Sequence, residues 1–123
     1  MEEKGNLKME QTDRTPNPDQ IKRIREMEEH LDRATAAMKE LTTALEHYKE
    51  AKESFRRVEY YMSSWDWIVD YQDDEEGNLP EDLKRGVLSQ DAIYDLLDEE
   101  KETMVEMMDL AKEYLAGLSN TPY

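Results

Sequence analysis

The sequence predicts an all-α protein, a long antiparallel helical hairpin with one or two short helices in the connecting insert. Three observations carry this. From Ile24 to Met62 a residue suited to one helix face recurs at alternating spacings of three and four, and no Gly or Pro interrupts residues 19–62. The same alternation returns from Ile93 to Leu118, and the intervening stretch holds paired Ser, an acidic run with Gly, and Pro. Alternating three and four keeps side chains on one stripe of a helix with 3.6 residues per turn, and two striped helices joined by a compact insert bury their stripes against each other.

The first helix starts at Asn17-Pro18-Asp19-Gln20, which offers an Asn N-cap, Pro at the first helical position, an acid near the positive end, and Gln placed to complete a capping box. Its stripe is Ile24, Met27, Leu31, Ala34, Met38, Leu41, Leu45 and Tyr48, then Lys52, Phe55, Glu59 and Met62. Ala51 and Val58, one position earlier, take over packing where Lys52 and Glu59 enter. Ser63-Ser64 ends this helix of about 45 residues, roughly 67 Å long, and caps a short one. There Trp65, Ile68 and Val69 share one face and Trp67 and Tyr71 another, the pattern of a sandwiched helix. Asp73-Asp74-Glu75-Glu76-Gly77-Asn78 reads as a solvated turn. Leu79 to Gly86 reads as one or two helical turns, with Pro80 near the start and Gly86 at C′. Ser89 caps the last helix, about 29 residues, with stripe Ile93, Leu97, Glu100, Met104, Met107, Ala111, Tyr114 and Leu118.

Residues 1–16 and 119–123 read as tails flanking one helical domain over 17–118. The first helix outruns the last by about 16 residues, roughly 24 Å of stripe. The short Trp-containing helix is expected to cover some of it and a second subunit the rest, giving a coiled-coil homodimer.

Composition removes several function classes. The 123 residues include no Cys, so there is no thiolate nucleophile, disulfide framework or Cys-based metal site. Neither His30 nor His47 has Glu three positions before it, so the Glu-x-x-His ligand pattern of di-metal bundles is missing. The acidic run fails as a calcium loop, because setting Gly77 sixth places Gln72 first and Leu83 twelfth. Ser54, Ser63, Ser64, Ser89 and Ser119 lack a nucleophile-elbow context, and no Gly-rich phosphate loop exists. No catalytic residue, cofactor or metal is expected. No apolar run approaches the roughly 18 residues of a membrane span, and a cytoplasmic location fits best.

Net charge is −15, and it is unevenly spread. Residues 1–62 hold 12 basic and 14 acidic side chains; residues 63–123 hold 4 and 17, a balance of −13. Direct binding to nucleic acid or an anionic membrane is therefore disfavoured. On the last helix Asp91, Asp95, Asp98, Glu102, Glu106, Asp109 and Glu113 fall within about 80° of one another, opposite the apolar stripe. Such a ridge is either a solvated face or a surface for a basic protein or another subunit. Solvated faces usually mix signs, because like charges four apart repel by about 0.2–0.5 kcal/mol. A nucleic-acid mimic, blocking a DNA- or RNA-binding protein, is the alternative, and it needs further carboxylates beside the ridge. Trp65, Trp67 and Tyr71, with Tyr60 and Tyr61, form an aromatic cluster that is either hairpin core or a small-ligand pocket. Lys84-Arg85 is the one basic pair in the acidic half, placed to complement nearby carboxylates.

The stretch Leu79-Pro80-Glu81-Asp82-Leu83-Lys84-Arg85-Gly86-Val87-Leu88-Ser89-Gln90-Asp91-Ala92-Ile93-Tyr94-Asp95-Leu96-Leu97 resembles the bacterial domain of unknown function DUF4298. Trp67, Asp70-Tyr71, the acidic turn and the charged helix from Ile24 extend the resemblance over about residues 24–115, with Lys84 to Ser89 its most specific part. The resemblance implies a small helical bacterial protein and brings no activity, ligand or catalytic residue.

Overall fold

A computed structural model describes residues 15–119, and over that range the chain is all-helical, with no strand among the described residues. Three α-helices follow in order: α1 (Pro18–Met62), α2 (Trp65–Glu75) and α3 (Gln90–Ser119), with a single 3-10 turn (Gly86–Leu88) before α3. The tails expected at 1–16 and 119–123 fall almost wholly outside the described residues. The chain divides into two compact units, one ending at Tyr48 and one beginning at Lys49.

In the first unit α1 starts where the sequence places it. Asn17 Oδ1 accepts from the Asp19 N–H at 2.8 Å, and the Asn17 carbonyl accepts from the Ile21 N–H at 3.0 Å. The reciprocal bond from Gln20 that would complete a capping box is not formed. The stripe itself is regular but open: Ile21, Ile24, Met27, Leu31, Met38 and Leu41 are 38–58 % exposed. The sequence leaves about 16 residues of this stripe unmatched, and the exposed stretch is longer, reaching Met38 and Leu41.

The second unit holds the last turns of α1, and there the stripe is half-buried at Ala51, Phe55, Val58 and Met62. Packing has moved one position N-terminal of Lys52 and Glu59, which stay in solvent, as their charge requires. α1 ends in serines. Ser63 Oγ donates to the Glu59 and Tyr60 carbonyls at 3.2 and 3.1 Å, and Ser64 Oγ donates to the Tyr61 carbonyl at 2.6 Å. Ser64 Oγ also accepts from the Trp67 N–H at 3.3 Å, so one side chain closes α1 and opens α2.

α2 runs further than the sequence suggests, through Asp73, Asp74 and Glu75. The physical stop is Gly77 at φ +74°, a left-handed position that suits residues without a Cβ. Its N–H donates to the Asp74 carbonyl at 3.1 Å and the Asn78 N–H donates to the Asp73 carbonyl at 2.9 Å, the two bonds of a Schellman cap. Nor is α2 sandwiched. Trp67, Asp70, Asp73 and Asp74 are half-buried, whereas Trp65, Ile68 and Val69 remain exposed.

The helical turns expected over residues 79–86 do not form. Arg85 instead directs its guanidinium to the Asp74 carboxylate and the Pro80 carbonyl, and its Nε donates to the Leu83 carbonyl at 3.2 Å. Carbonyls that a helix would have used for its ladder are thereby occupied. Gly86 opens the 3-10 turn rather than closing a helix. That turn buries Leu88 and leads into α3, where Ile93 is the most buried side chain at 3 % exposure. Leu97, Glu100, Met104 and Met107 continue the α3 stripe half-buried, and from Asp109 to Leu118 all positions are exposed.

Candidate interaction surfaces

Two regions of the second unit carry the chemistry that the sequence singles out. The first is the acidic ridge of α3. Ser89 Oγ accepts from the Ala92 N–H at 3.2 Å and its carbonyl accepts from the Ile93 N–H at 3.3 Å, so the helix is capped one residue before Asp91. Capping fixes the register of everything downstream. With Ile93 and Leu97 turned to the interior, Asp91, Asp95, Asp98, Glu102, Glu106, Asp109 and Glu113 all lie in solvent. Among the described residues no ion pair reaches any of the seven. The carboxylate that does pair on this helix is Glu100, on the opposite stripe, which meets the Arg56 guanidinium of α1. Its side chain is only 10 % exposed, and Arg56 also reaches Glu59 at 2.9 Å. Sequence reading placed Glu100 among apolar positions without a partner; the pair explains why a charge is tolerated there.

The second region is aromatic. The Trp67 indole N–H donates to the Val87 carbonyl at 2.8 Å, and its ring stacks on Tyr71 with centroids 5.1 Å apart and planes 21° apart. Trp67 thus ties α2 to the 3-10 turn. Trp65 takes no part, being 74 % exposed, which removes it from the expected Trp65, Trp67 and Tyr71 pocket. What the structure adds is a junction. Trp67, Tyr71, Leu88, Ser89, Gln90 and Asp91 line one open recess of about 490 Å³. The aromatic candidate and the first carboxylate of the ridge therefore share a site. No sequence signal joins them, because the link depends on the path of residues 76–89.

Side-chain electrostatics follow the same geometry. The Tyr61 hydroxyl donates to Asp70 Oδ2 at 2.6 Å, and burial first, then this bond and the negative charge of Asp70, push its phenol up to about 12. Tyr71 is raised as well, chiefly by a side-chain hydrogen bond to Glu75 and then by that carboxylate's charge. Of the acidic turn, Asp74 is held by Arg85 and Asp73 is half-buried, so Glu75 and Glu76 are its exposed carboxylates.

Among the described residues no group of three or more His, Asp or Glu converges as a metal site. His30 and His47 are exposed on α1, and Ser63, Ser64 and Ser89 act as helix caps. No described helix is long and apolar enough to cross a membrane.

No curated protein and no solved structure matches the chain. A family does: the domain of unknown function DUF4298 matches residues 24–110, from Ile24 on α1 to Leu110 on α3, a stretch that includes Arg85, the recess and most of the ridge. By that match, which covers well over half its length, the chain belongs to the DUF4298 family.

Proposed function

We propose that this chain is a non-enzymatic interaction module of the bacterial cytoplasm, which presents the acidic face of α3 to a basic protein surface. The observation that carries this reading is the ridge itself: seven exposed carboxylates in one stripe, none of them ion-paired within the described chain. The chain accepts about 1–2 kcal/mol of like-charge repulsion along roughly 33 Å, a cost that a basic partner removes. In this reading the last turns of α1 and the first turns of α3 form an antiparallel hairpin, supported by the Arg56–Glu100 pair, and the hairpin holds the ridge rigid. The recess at the head of the ridge supplies an anchor. Aromatic faces beside the Asp91 carboxylate suit an Arg or Lys side chain of the partner.

The nucleic-acid mimic is less well supported. Such a mimic needs carboxylates spread in two dimensions, and Arg85 neutralises Asp74 while Asp73 is half-buried. The test is capture from native lysate with wild type and with D98K/E102K/E106K, each at low and high salt. The reading expects a basic protein retained by wild type at low salt and lost both in the variant and at high salt, because exposed charges are screened beyond about 8–10 Å. Equal capture in all four conditions, with both proteins folded, rejects the ridge and moves attention to the aromatic recess.

A further inference from the structure

We infer that the outer face of α2, built on Trp65, Ile68 and Val69, docks a basic amphipathic helix of a partner protein. This surface lies beyond the acidic ridge and does not depend on it. α2 keeps Trp67, Asp70 and Asp74 half-buried and leaves Trp65, Ile68 and Val69 exposed, Trp65 at 74 %. At 100° per residue the three exposed side chains and Gln72 fall within about 100° of one another, on the side opposite Trp67, Asp70 and Asp74. Spaced i, i+3 and i+4, the three apolar residues are neighbours on the helix surface. Together they offer about 300 Å² of apolar surface, the size at which patches on a folded chain are often functional.

Acids border this face on both sides. Asp66 and Asp73 lie along one edge and Glu75 along the other, about 70–110° from its middle, where flanking charges of paired helices meet. Asp66 and Glu75 are exposed, and the exposed Glu76 forms the C-cap. No ion pair reaches any of these four among the described residues. Between Arg57 and Lys84 the chain holds nine acidic residues and no Lys or Arg, and Arg85 is bound to Asp74 on the inner side. The last turn of α2 has no basic residue, so its acids add to the negative end of the helix dipole.

Those charges select the occupant. A second copy of the face sets acid edge against acid edge, and an anionic membrane or a nucleic acid meets the same repulsion. An uncharged apolar segment gains only the small patch, well under the roughly 800 Å² per partner of a stable interface. A helix with an apolar stripe bordered by Lys or Arg answers both features, laying the stripe on Trp65, Ile68 and Val69 and its cations against Asp66, Glu75 and Glu76. Trp is among the side chains that most often anchor an interface.

Trp65 reports its own occupancy. The full-length protein is titrated with three Trp-free peptides of about four turns: a Leu/Lys helix with an apolar face, a shuffled peptide of the same composition without one, and the Leu/Glu counterpart of the first. The inference expects the Leu/Lys helix to shift Trp emission to the blue and to reduce quenching by acrylamide. That shift is lost in W65F, and the shuffled peptide binds at least tenfold more weakly. I68S/V69S weakens binding at least tenfold with its thermal melt retained, and the Leu/Glu peptide leaves the emission unchanged. Equal affinity for the Leu/Lys and shuffled peptides overturns the inference, because charge alone then suffices. A shift that survives in W65F also overturns it, by placing the peptide at Trp67 and the recess, as does the absence of any shift in wild type. D98K/E102K/E106K is expected to give the full shift, which separates failure of this face from failure of the ridge. Loss of the shift in that variant assigns the peptide to the ridge and overturns the inference.

Discussion

The same pattern of apolar residues has two fates in this chain. Over residues 21–41 it lies on an open face of α1, while from Ala51 to Met62 on α1 and from Ile93 to Met107 on α3 it is covered within its own unit. Both stretches have the spacing and residue types of a helix stripe, and both are helical. The difference teaches that periodicity fixes which face of a helix is apolar and says nothing of what covers it. Covering depends on the rest of the chain, and on α1 the half-buried positions begin only at Leu45.

Substitution of one core position in each region breaks or confirms this contrast, with the largest effect expected of any variant. Ile93 is 3 % exposed, so Ile93→Asp places a carboxylate where water scarcely reaches it. Loss of more than about 3 kcal/mol is expected, enough to abolish cooperative folding of residues 49–119. Leu41 is 48 % exposed, and at low micromolar concentration Leu41→Asp keeps its helicity and loses less than about 1 kcal/mol. Thermal melts of the two variants side by side decide the matter. Equal destabilisation would mean that the open stripe is packed as tightly as the core.

The Arg56–Glu100 pair tests how the covered region tolerates a charge on its stripe. Arg56→Ala leaves a carboxylate that is only 10 % exposed with one fewer donor, and a cost of about 1–3 kcal/mol is expected. Glu100→Leu restores most of it, because an apolar residue at that stripe position needs no partner. Denaturant unfolding of the single and double variants gives the coupling. No coupling beyond about 0.3 kcal/mol would show the pair to be incidental.

Much of this region was legible from residues alone. The helix starts at Asn17, Ser64 and Ser89 are all capped by a side-chain oxygen, and the shift to Ala51 and Val58 was forced by Lys52 and Glu59 on the stripe. What could not be read was anything that depends on contacts distant in sequence. Arg85 suppresses the helix expected over 79–86 by binding Asp74, 11 residues earlier, and Trp67 reaches the carbonyl of Val87, 20 residues later. The recess that joins Tyr71 to Asp91 is likewise lined by residues distant in sequence, Trp67 and Tyr71 on one side and Leu88 to Asp91 on the other. Of the candidate site, the ridge was therefore visible as a sequence pattern and its junction with the aromatic pair was not.

Alkaline pH probes the covered region without mutation. Tyr61 keeps its proton to about 12 in the folded chain, against an ordinary value of 10.0. The stabilisation is accordingly complete below pH 10 and fades as pH rises toward 12. Discounted for partial exposure, it is worth about 1–2 kcal/mol. Melting temperature is expected to fall across that window in wild type and less steeply in Tyr61→Phe. Identical slopes would assign the alkaline loss to other groups.

The smallest effect sharpens the comparison on its solvent side. Glu102 has Asp98 four residues before it and Glu106 four residues after it, all three exposed and without an ion pair among the described residues. Glu102→Lys turns two repulsive spacings into attractive ones, with Asp98 in the favourable N-terminal order. If the ridge touches nothing within its own chain, the variant gains up to about 1 kcal/mol at low salt, and the gain shrinks as ionic strength rises. Melting curves in dilute buffer and in molar salt measure both. A loss of stability would place Glu102 in an intramolecular contact, and the ridge would then owe its charge to folding rather than to a partner. A salt-sensitive gain has the opposite meaning: the natural sequence keeps a destabilising row of carboxylates on a face where one lysine would relieve it, which is the behaviour of a surface held for binding.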